Sequence, residues 1–388
     1  MVAVPQLPFE QAHPLEFAPR LRELQAKGVV HRVRTPAGDP AWLVTGHAEV
    51  LRLYDDDRLG VAPPEPDTAA HMYPSDRPMR NFATEHADHA RKRALLQPHF
   101  TPKRLQALRP RVDALTTQLL DDLAAKGSPA DLRAAVAVPL PVLVICEVLG
   151  VPQEDSERFC AWLIGVSDAH DGARVQQGLG ELFAYSQQLV ADKRRDPGDD
   201  VISRLCGIEG VSDDEAARLV TGLLWAGHGS PVPHIGLGVL LLLANPEQWR
   251  MLARDQSLAS NAVEETLRAA RSSAVTFPRY ARTDFELDGV TIKAGDLVLM
   301  SIGAANHDPS VFADPDLVDI SRRALSHLTF GYGGRYCIAA PLARIELNAV
   351  LSQLASRFPA MQLAVGVEAL TLRTDGLFGG LVELPVRW

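Results

Sequence analysis

Cysteine is scarce in this chain. Four occur in 388 residues: Cys146, Cys160, Cys206 and Cys337. None stands in a C-x-x-C pair, which excludes a zinc ribbon and a dithiol motif, and so low a count fits a reduced cytoplasm. Long apolar runs are also missing. The longest, Val239 to Ala244, is far too short to span a bilayer. Met1 to Glu10 has no charged start leading into an apolar core, so no signal peptide is expected. Excess positive charge is absent: 39 Lys and Arg stand against 48 Asp and Glu, a net charge of −9, which argues against general nucleic-acid binding. Short basic runs such as Arg91-Lys92-Arg93 and Lys193-Arg194-Arg195 read as solvated helix faces or salt-bridge partners. No internal repeat is visible, and the 28 Gly and 28 Pro are spread along the chain, so no stretch reads as a linker or low-complexity tail. With 46% hydrophobic residues there is ample material for a core. The expectation is one domain over residues 1–388, monomeric, cytoplasmic and without a membrane partner.

What is present centres on Phe330 to Glu346. Its first half holds three glycines, Gly331, Gly333 and Gly334, and ends on Cys337; its second half starts a helix, with Leu342, Ile345 and Ala349 at helical spacing. Glycines let a backbone bend and approach a flat object closely. A thiol at a helix N-terminus is favoured as thiolate by the helix dipole. Such a thiolate can ligate an iron on one face of a planar cofactor, although a single cysteine after glycines also occurs as a small buried hydrophobe.

Two other patterns are ambiguous alone. His86 and His89 share a helix face at i,i+3, but no third ligand stands nearby for zinc. Glu265 and Arg268, also at i,i+3, could be a surface ion pair worth about 0–1 kcal/mol. Ser212-Asp213-Asp214-Glu215 is a capping box opening a long apolar segment, Ala216 to Leu243. At about 1.5 Å per residue that helix would cross the molecule. Pro231 and Pro233 fall inside it, which predicts a kink or widened turn. An amphipathic helix is expected over Leu15 to Gln25, and a β-hairpin around Pro36-Ala37-Gly38. Arg58 to Arg80 carries five prolines and reads as a functional loop.

The cysteine loop, Phe-Gly-x-Gly-x-x-x-Cys with a basic Arg335 and then Ala-x-Leu-Ala-Arg, resembles the haem-binding loop of the cytochrome P-450 family. That resemblance runs through the whole chain and implies a mainly α, triangular-prism fold with a small β-rich region. It implies Cys337 as proximal thiolate of a haem b iron, Arg335 on a haem propionate and Phe330 near the sulfur. It further implies propionate contacts from His89 and Arg93, whose i,i+4 spacing lets two donors grip one carboxylate, and from Arg279. Glu265 and Arg268 resemble the family's structural Glu-x-x-Arg pair.

Three departures from the family pattern stand out. Ala339 replaces the glycine two residues after the cysteine. Leu317, after Asp314-Pro315-Asp316, replaces the arginine that usually joins the Glu-Arg pair, which leaves backbone carbonyls as partners for Arg268. In the oxygen-binding segment Ala226, Gly227 and Ser230 match the small residues and the alcohol, but Gly229 stands where an acid is usual. Protons would then come through Ser230 and waters, His228 or the substrate.

The resemblance implies a haem-thiolate oxidoreductase that uses dioxygen and electrons from a ferredoxin and ferredoxin reductase to hydroxylate a small, aromatic or apolar natural product. The soluble bacterial type, active in secondary metabolite biosynthesis, is implied by the lack of an N-terminal anchor. Oxidative coupling of aromatic partners, such as tryptophan-containing cyclic dipeptides, is an alternative. A non-catalytic haem protein with His228 as sixth ligand is another. Substrate-pocket candidates are Met72, Tyr73, Met79, Trp225, Val275, Phe277, Leu377 and Phe378, several of which core packing explains equally well.

Overall fold

The computed structural model describes residues 4–74, 81–168, 170–270, 278–323, 326–373 and 378–388. Within them the chain is mainly α-helical, with three small sheets. The largest sheet has the strand order Val30–Arg34, Pro40–Val44, Leu297–Met300, Arg279–Ala281, Leu59–Gly60. Its first two strands are the expected hairpin, antiparallel with Val33 opposite Ala41. Gly38 turns it at φ +90°, a region that glycine enters without steric cost. Pro40–Val44 then runs parallel to Leu297–Met300, all four of whose residues are buried. A second hairpin, Phe285–Leu287 with Val290–Ile292, turns on Asp288 and Gly289, both at positive φ. That is the geometry an Asp-Gly pair favours.

The first helix begins at Pro19 and ends at Lys27, later than the expected Leu15. Proline at the first helical turn needs no N–H partner, so it sets the start.

The long central helix forms as two segments, Asp213–Gly229 and Pro231–Leu243. Ser212 caps the first: its side chain accepts from Glu215 N at 3.1 Å. Asp213, Asp214 and Glu215 follow in the first turn, where the helix dipole favours acids. The Glu215 carboxylate does not complete a capping box; Arg91 takes it with two hydrogen bonds of 2.6 and 2.7 Å. The ladder breaks at Ser230, as the prolines predict. Pro231 and Pro233 have no N–H to offer the carbonyls four residues back, and Ser230 itself stays helical at φ −84°, ψ −33°.

The first segment packs between Gly172–Arg195 and Pro139–Leu149; the second packs on Ala259–Ala269 and Ala340–Arg357. From Ile235 to Leu243 every residue is buried. Asp213–Leu243 is apolar and long enough for a bilayer by composition, but 61% of its most apolar window is covered by the fold. Its apolarity serves the core.

Glu265 and Arg268, both fully buried, form a two-pronged pair at 2.8 and 2.8 Å. Arg268 also donates to the carbonyls of Asn306, Pro315 and Leu317 at 2.8–3.0 Å, as the loss of the usual arginine at 317 requires. A second cation is nonetheless supplied. Arg322 Nε stands 3.5 Å from Glu265 Oε1, reached from a later turn that sequence spacing does not reveal. So many partners matter because removing one from a buried pair costs about 3–5 kcal/mol.

Candidate active site

The cysteine loop is closed by its own backbone. Cys337 N donates to Phe330 O at 2.8 Å, Gly331 N to Leu328 O at 2.9 Å and Tyr336 N to Gly333 O at 3.1 Å. Two glycines are required for independent reasons. Gly331 has φ +73°, and a Cβ there would meet Tyr54 Cε1 at 3.2 Å; Gly333 has φ +59°, and a Cβ would lie 2.3 Å from Asp55 Oδ1. Asp55 also accepts from Gly334 N at 3.2 Å. The end of the helix His47–Tyr54 thus buttresses the loop.

Three residues after Cys337 the helix Ala340–Arg357 begins. Ala339, in place of glycine, has φ −94° and ψ 9°, a negative φ open to side-chain-bearing residues, so the backbone here does not require glycine. The helix start does not by itself make Cys337 a thiolate. Burial pushes the thiol up, and the N–H groups of Ala339 and Ala340 with Arg93 and Arg344 only partly pull it back. Desolvation of the anion outweighs these dipoles and charges; a coordinated metal ion would deprotonate the thiol outright.

Of the four cations expected at this loop, Arg93 touches it and Arg335 belongs to it. Arg93, on the helix Glu85–Leu96, donates from Nη1 to Tyr336 O at 2.5 Å. His89, one turn earlier on the same helix face, is half-buried. Arg335 belongs to the loop itself, in the short turn Gly333–Arg335. Arg279 opens the strand Arg279–Ala281 and is 8% exposed. Its charge reaches Tyr54, whose hydroxyl burial pushes up to about 12 against the pull of Arg279.

A second lattice behind the loop is invisible in the sequence. Arg344 grips Glu264 through Nε and Nη2 at 2.7 and 2.9 Å and donates to Tyr336 Oη at 3.0 Å. Its guanidinium lies 4.5 Å from the centre of the Phe330 ring. His327 Nε2 meets Glu264 at 3.1 Å. Against the penalty of burial, the hydrogen bonds from His327 and Arg344 hold the Glu264 carboxyl down to about 2. Phe330 packs on His327, Tyr336 and Arg344, and so stiffens the loop that presents the thiol.

The central helix presents a stripe of small residues. Gly222, Ala226 and Ser230 are exposed although Leu223, Leu224 and Val232 beside them are buried. Ser230 Oγ donates to Ala226 O at 3.1 Å, and His234 Nδ1 meets Ser230 O at 2.8 Å. A carbonyl only accepts, so Nδ1 carries the proton and Nε2 the lone pair. Burial lowers His234, with His327 of the cysteine loop adding to the effect. His234 and Cys337 are half-buried and keep uncovered surface.

Gly227 and Gly229 serve other contacts. A Cβ on Gly227 would lie 2.8 Å from Ile145 Cδ1, so this glycine lets two helices approach. A Cβ on Gly229 would lie 2.2 Å from Phe378 Cε2. His228 lies roughly 200° around the helix from Ala226. Its Nε2 is buried without a partner, and burial, with Arg133, pushes the ring down to about 4. Its place on the far side of the helix, not its charge state, keeps it from being a ligand on the Ala226 face.

Of the pocket candidates, Trp225 and Phe378 come together, ring centres 5.2 Å apart. Met72 does not join them. It is 5% exposed and packed with Leu299 and Tyr280 in the cluster beneath the large sheet, where covering the strands uses up its apolar surface. Met79, Val275, Phe277 and Leu377 lie outside the described residues.

A lone thiol in a glycine-turned loop, with Arg93 and Arg344 near it and the start of a helix behind it, fits a haem-thiolate protein. One thiolate suits one axial iron position, and the cations suit the cofactor's carboxylates. Comparison with known proteins agrees. Residues 184–363 match the Cytochrome P450 family model. Pentalenolactone synthase of Streptomyces exfoliatus is 40% identical with both chains covered in full. Mycinamicin IV hydroxylase/epoxidase of Micromonospora griseorubida is 39% identical over 98% of each chain. The substrate-free structure of PimD, a pimaricin epoxidase, superposes over 100% of both chains with TM-score 0.90 at 39% identity. The chain belongs to the cytochrome P450 family, whose members bind haem iron through a thiolate, and it is an oxidoreductase of that family.

Proposed function

We propose that this protein hydroxylates a small natural product, aromatic or apolar, with dioxygen and with electrons from a ferredoxin and its reductase, as a single-domain cytoplasmic monomer. The observation that carries the reading is the Cys337 loop, closed on Phe330 and flanked by Arg93. Bound haem would supply oxygen activation, with thiolate donation favouring O–O cleavage. Cys337 is the iron ligand. His89, Arg93, Arg279 and Arg335 neutralise the haem carboxylates. Glu265 and Arg268 hold the segment beneath. Ala226 keeps the distal side open, Gly227 lets the helix of Ile145 pack close behind it, and Ser230 keeps a hydroxyl on the open side to hold or pass a proton. Trp225 and Phe378 orient the substrate. Relatives named as a hydroxylase/epoxidase and an epoxidase support oxygen insertion.

A second reading, oxidative coupling of aromatic partners such as tryptophan-containing cyclic dipeptides, is favoured by one observation: an aromatic ring stands where the usual acid would be. The deciding experiment is product mass under labelled dioxygen, with the haem-loaded enzyme, a surrogate ferredoxin and aromatic precursors. One labelled oxygen in the product establishes hydroxylation. Loss of hydrogens without label, or joining of two molecules, establishes coupling. No product, with a protein nitrogen as sixth ligand on the iron, would overturn both.

A further inference from the structure

The two oddities of the central helix, the missing acid at Gly229 and the prolines after it, face one neighbour. Residues 225, 229, 233 and 236 form one stripe of the helix. The C-terminal turn runs along it. Phe378 covers Gly229, Gly380 meets Pro233 with a would-be Cβ 3.0 Å from Pro233 Cβ, and Leu381 Cδ1 lies 3.8 Å from where a Cβ on Gly236 would sit. The turn is pinned from behind. Arg373 N donates to Gly380 O at 2.7 Å, Val382 N to Thr371 O at 3.0 Å, and Leu372 bridges Leu381. Gly379 and Gly380, at φ +63° and +93°, make the bend possible.

The ring is therefore held against the helix by two of its residues. Three of its carbons lie 2.2, 2.5 and 2.7 Å from the place a Cβ at 229 would take, well inside the 3.5–4.0 Å contact distance of carbon atoms. Trp225, one turn earlier on the same stripe, also packs on the ring, tilted 53° to it. Both rings keep part of their surface uncovered.

We infer that Phe378 is a specificity-determining residue interlocked with Gly229: its ring fills the volume of the absent acid and, with Trp225, walls the distal pocket for a flat aromatic group. The absent acid and the aromatic turn are then a single adaptation. Neither a carboxylate nor its water fits at 229 while the ring is in place. This inference rests on the haem-thiolate reading above.

The test is a double-mutant cycle on the haem-loaded enzyme with Gly229→Ala, Phe378→Ala and both, and Phe378→Leu as the variant that keeps apolar volume. Gly229→Ala alone should lower the melting temperature by about 2–5 °C and should lower nothing in the Phe378→Ala background. Equal losses in both backgrounds overturn the interlock. Phenylimidazole and imidazole, titrated by their visible difference spectra, serve as probes. Phe378→Ala and Phe378→Leu should weaken phenylimidazole about tenfold, the worth of one aromatic contact, and leave imidazole unchanged. Equal effects on the two probes overturn the recognition role. The reduced carbon-monoxide spectrum of the unaltered protein separates the levels. Lack of a thiolate signature overturns the haem-thiolate reading itself, whereas an intact signature without coupling overturns only the interlock.

Discussion

Glu346 lies on the helix that follows the cysteine loop, 3% exposed, and its Oε2 meets no donor. Burial pushes this carboxyl from 4.5 up to about 8. Between those values the folded chain keeps a proton that the unfolded chain has released. Stability therefore falls as pH rises through the window, by up to about 1.4 kcal/mol per pH unit, and levels off above it. His228 works in the other direction. Its imidazole is pushed from 6.5 down to about 4, so over that range the unfolded chain binds the extra proton and stability rises with pH. The two slopes oppose each other below about pH 6.5 and leave the Glu346 slope alone above it. Glu346→Gln should stabilise the protein at pH 8 and change little at pH 5. Urea midpoints at the two values check it, and the same shift at both would show that Glu346 is ionised in the fold.

At the scale of elements, the cysteine loop depends on a helix end far from it in the chain. Asp55 occupies the space beside Gly333 and binds Gly334 N. Gly333→Ala combines a positive φ with an overlap, and should speed haem loss about tenfold. Gly127→Ala is the control. Gly127 also has positive φ, +82°, but nothing lies within 4 Å of its would-be Cβ. It should cost stability without loosening haem. Haem transfer to an acceptor protein measures both, and equal rates for the two variants would show that backbone strain alone, not the Asp55 buttress, sets retention.

Across the whole molecule, the uncovered surface at Cys337, Ala226, Ser230 and His234 is surface that a bound cofactor would cover. A ligand that binds only the folded chain raises its stability by about 1.4 kcal/mol per tenfold excess over its dissociation constant. Haem-loaded protein should therefore melt above haem-free protein, and Cys337→Ala should shrink that gap. Calorimetry of the four samples checks it; an unchanged gap would remove Cys337 as the ligand.

Much was legible in the sequence because its signals are local. The glycine loop, the Glu265–Arg268 spacing, the hairpin around Pro36-Ala37-Gly38 and the proline break each depend on residues a few positions apart, where backbone geometry alone dictates who meets whom. These patterns sufficed for the family, the helical fold and the thiolate candidate. Tertiary structure decided the rest. Arg322 joins Glu265, Arg344 and His327 hold Glu264, Met72 goes to the core, and Phe378 takes the place of a side chain at 229. Each of these contacts joins segments distant in the chain, and only packing brings such partners together. No spacing rule records which side chain fills a space that another leaves empty.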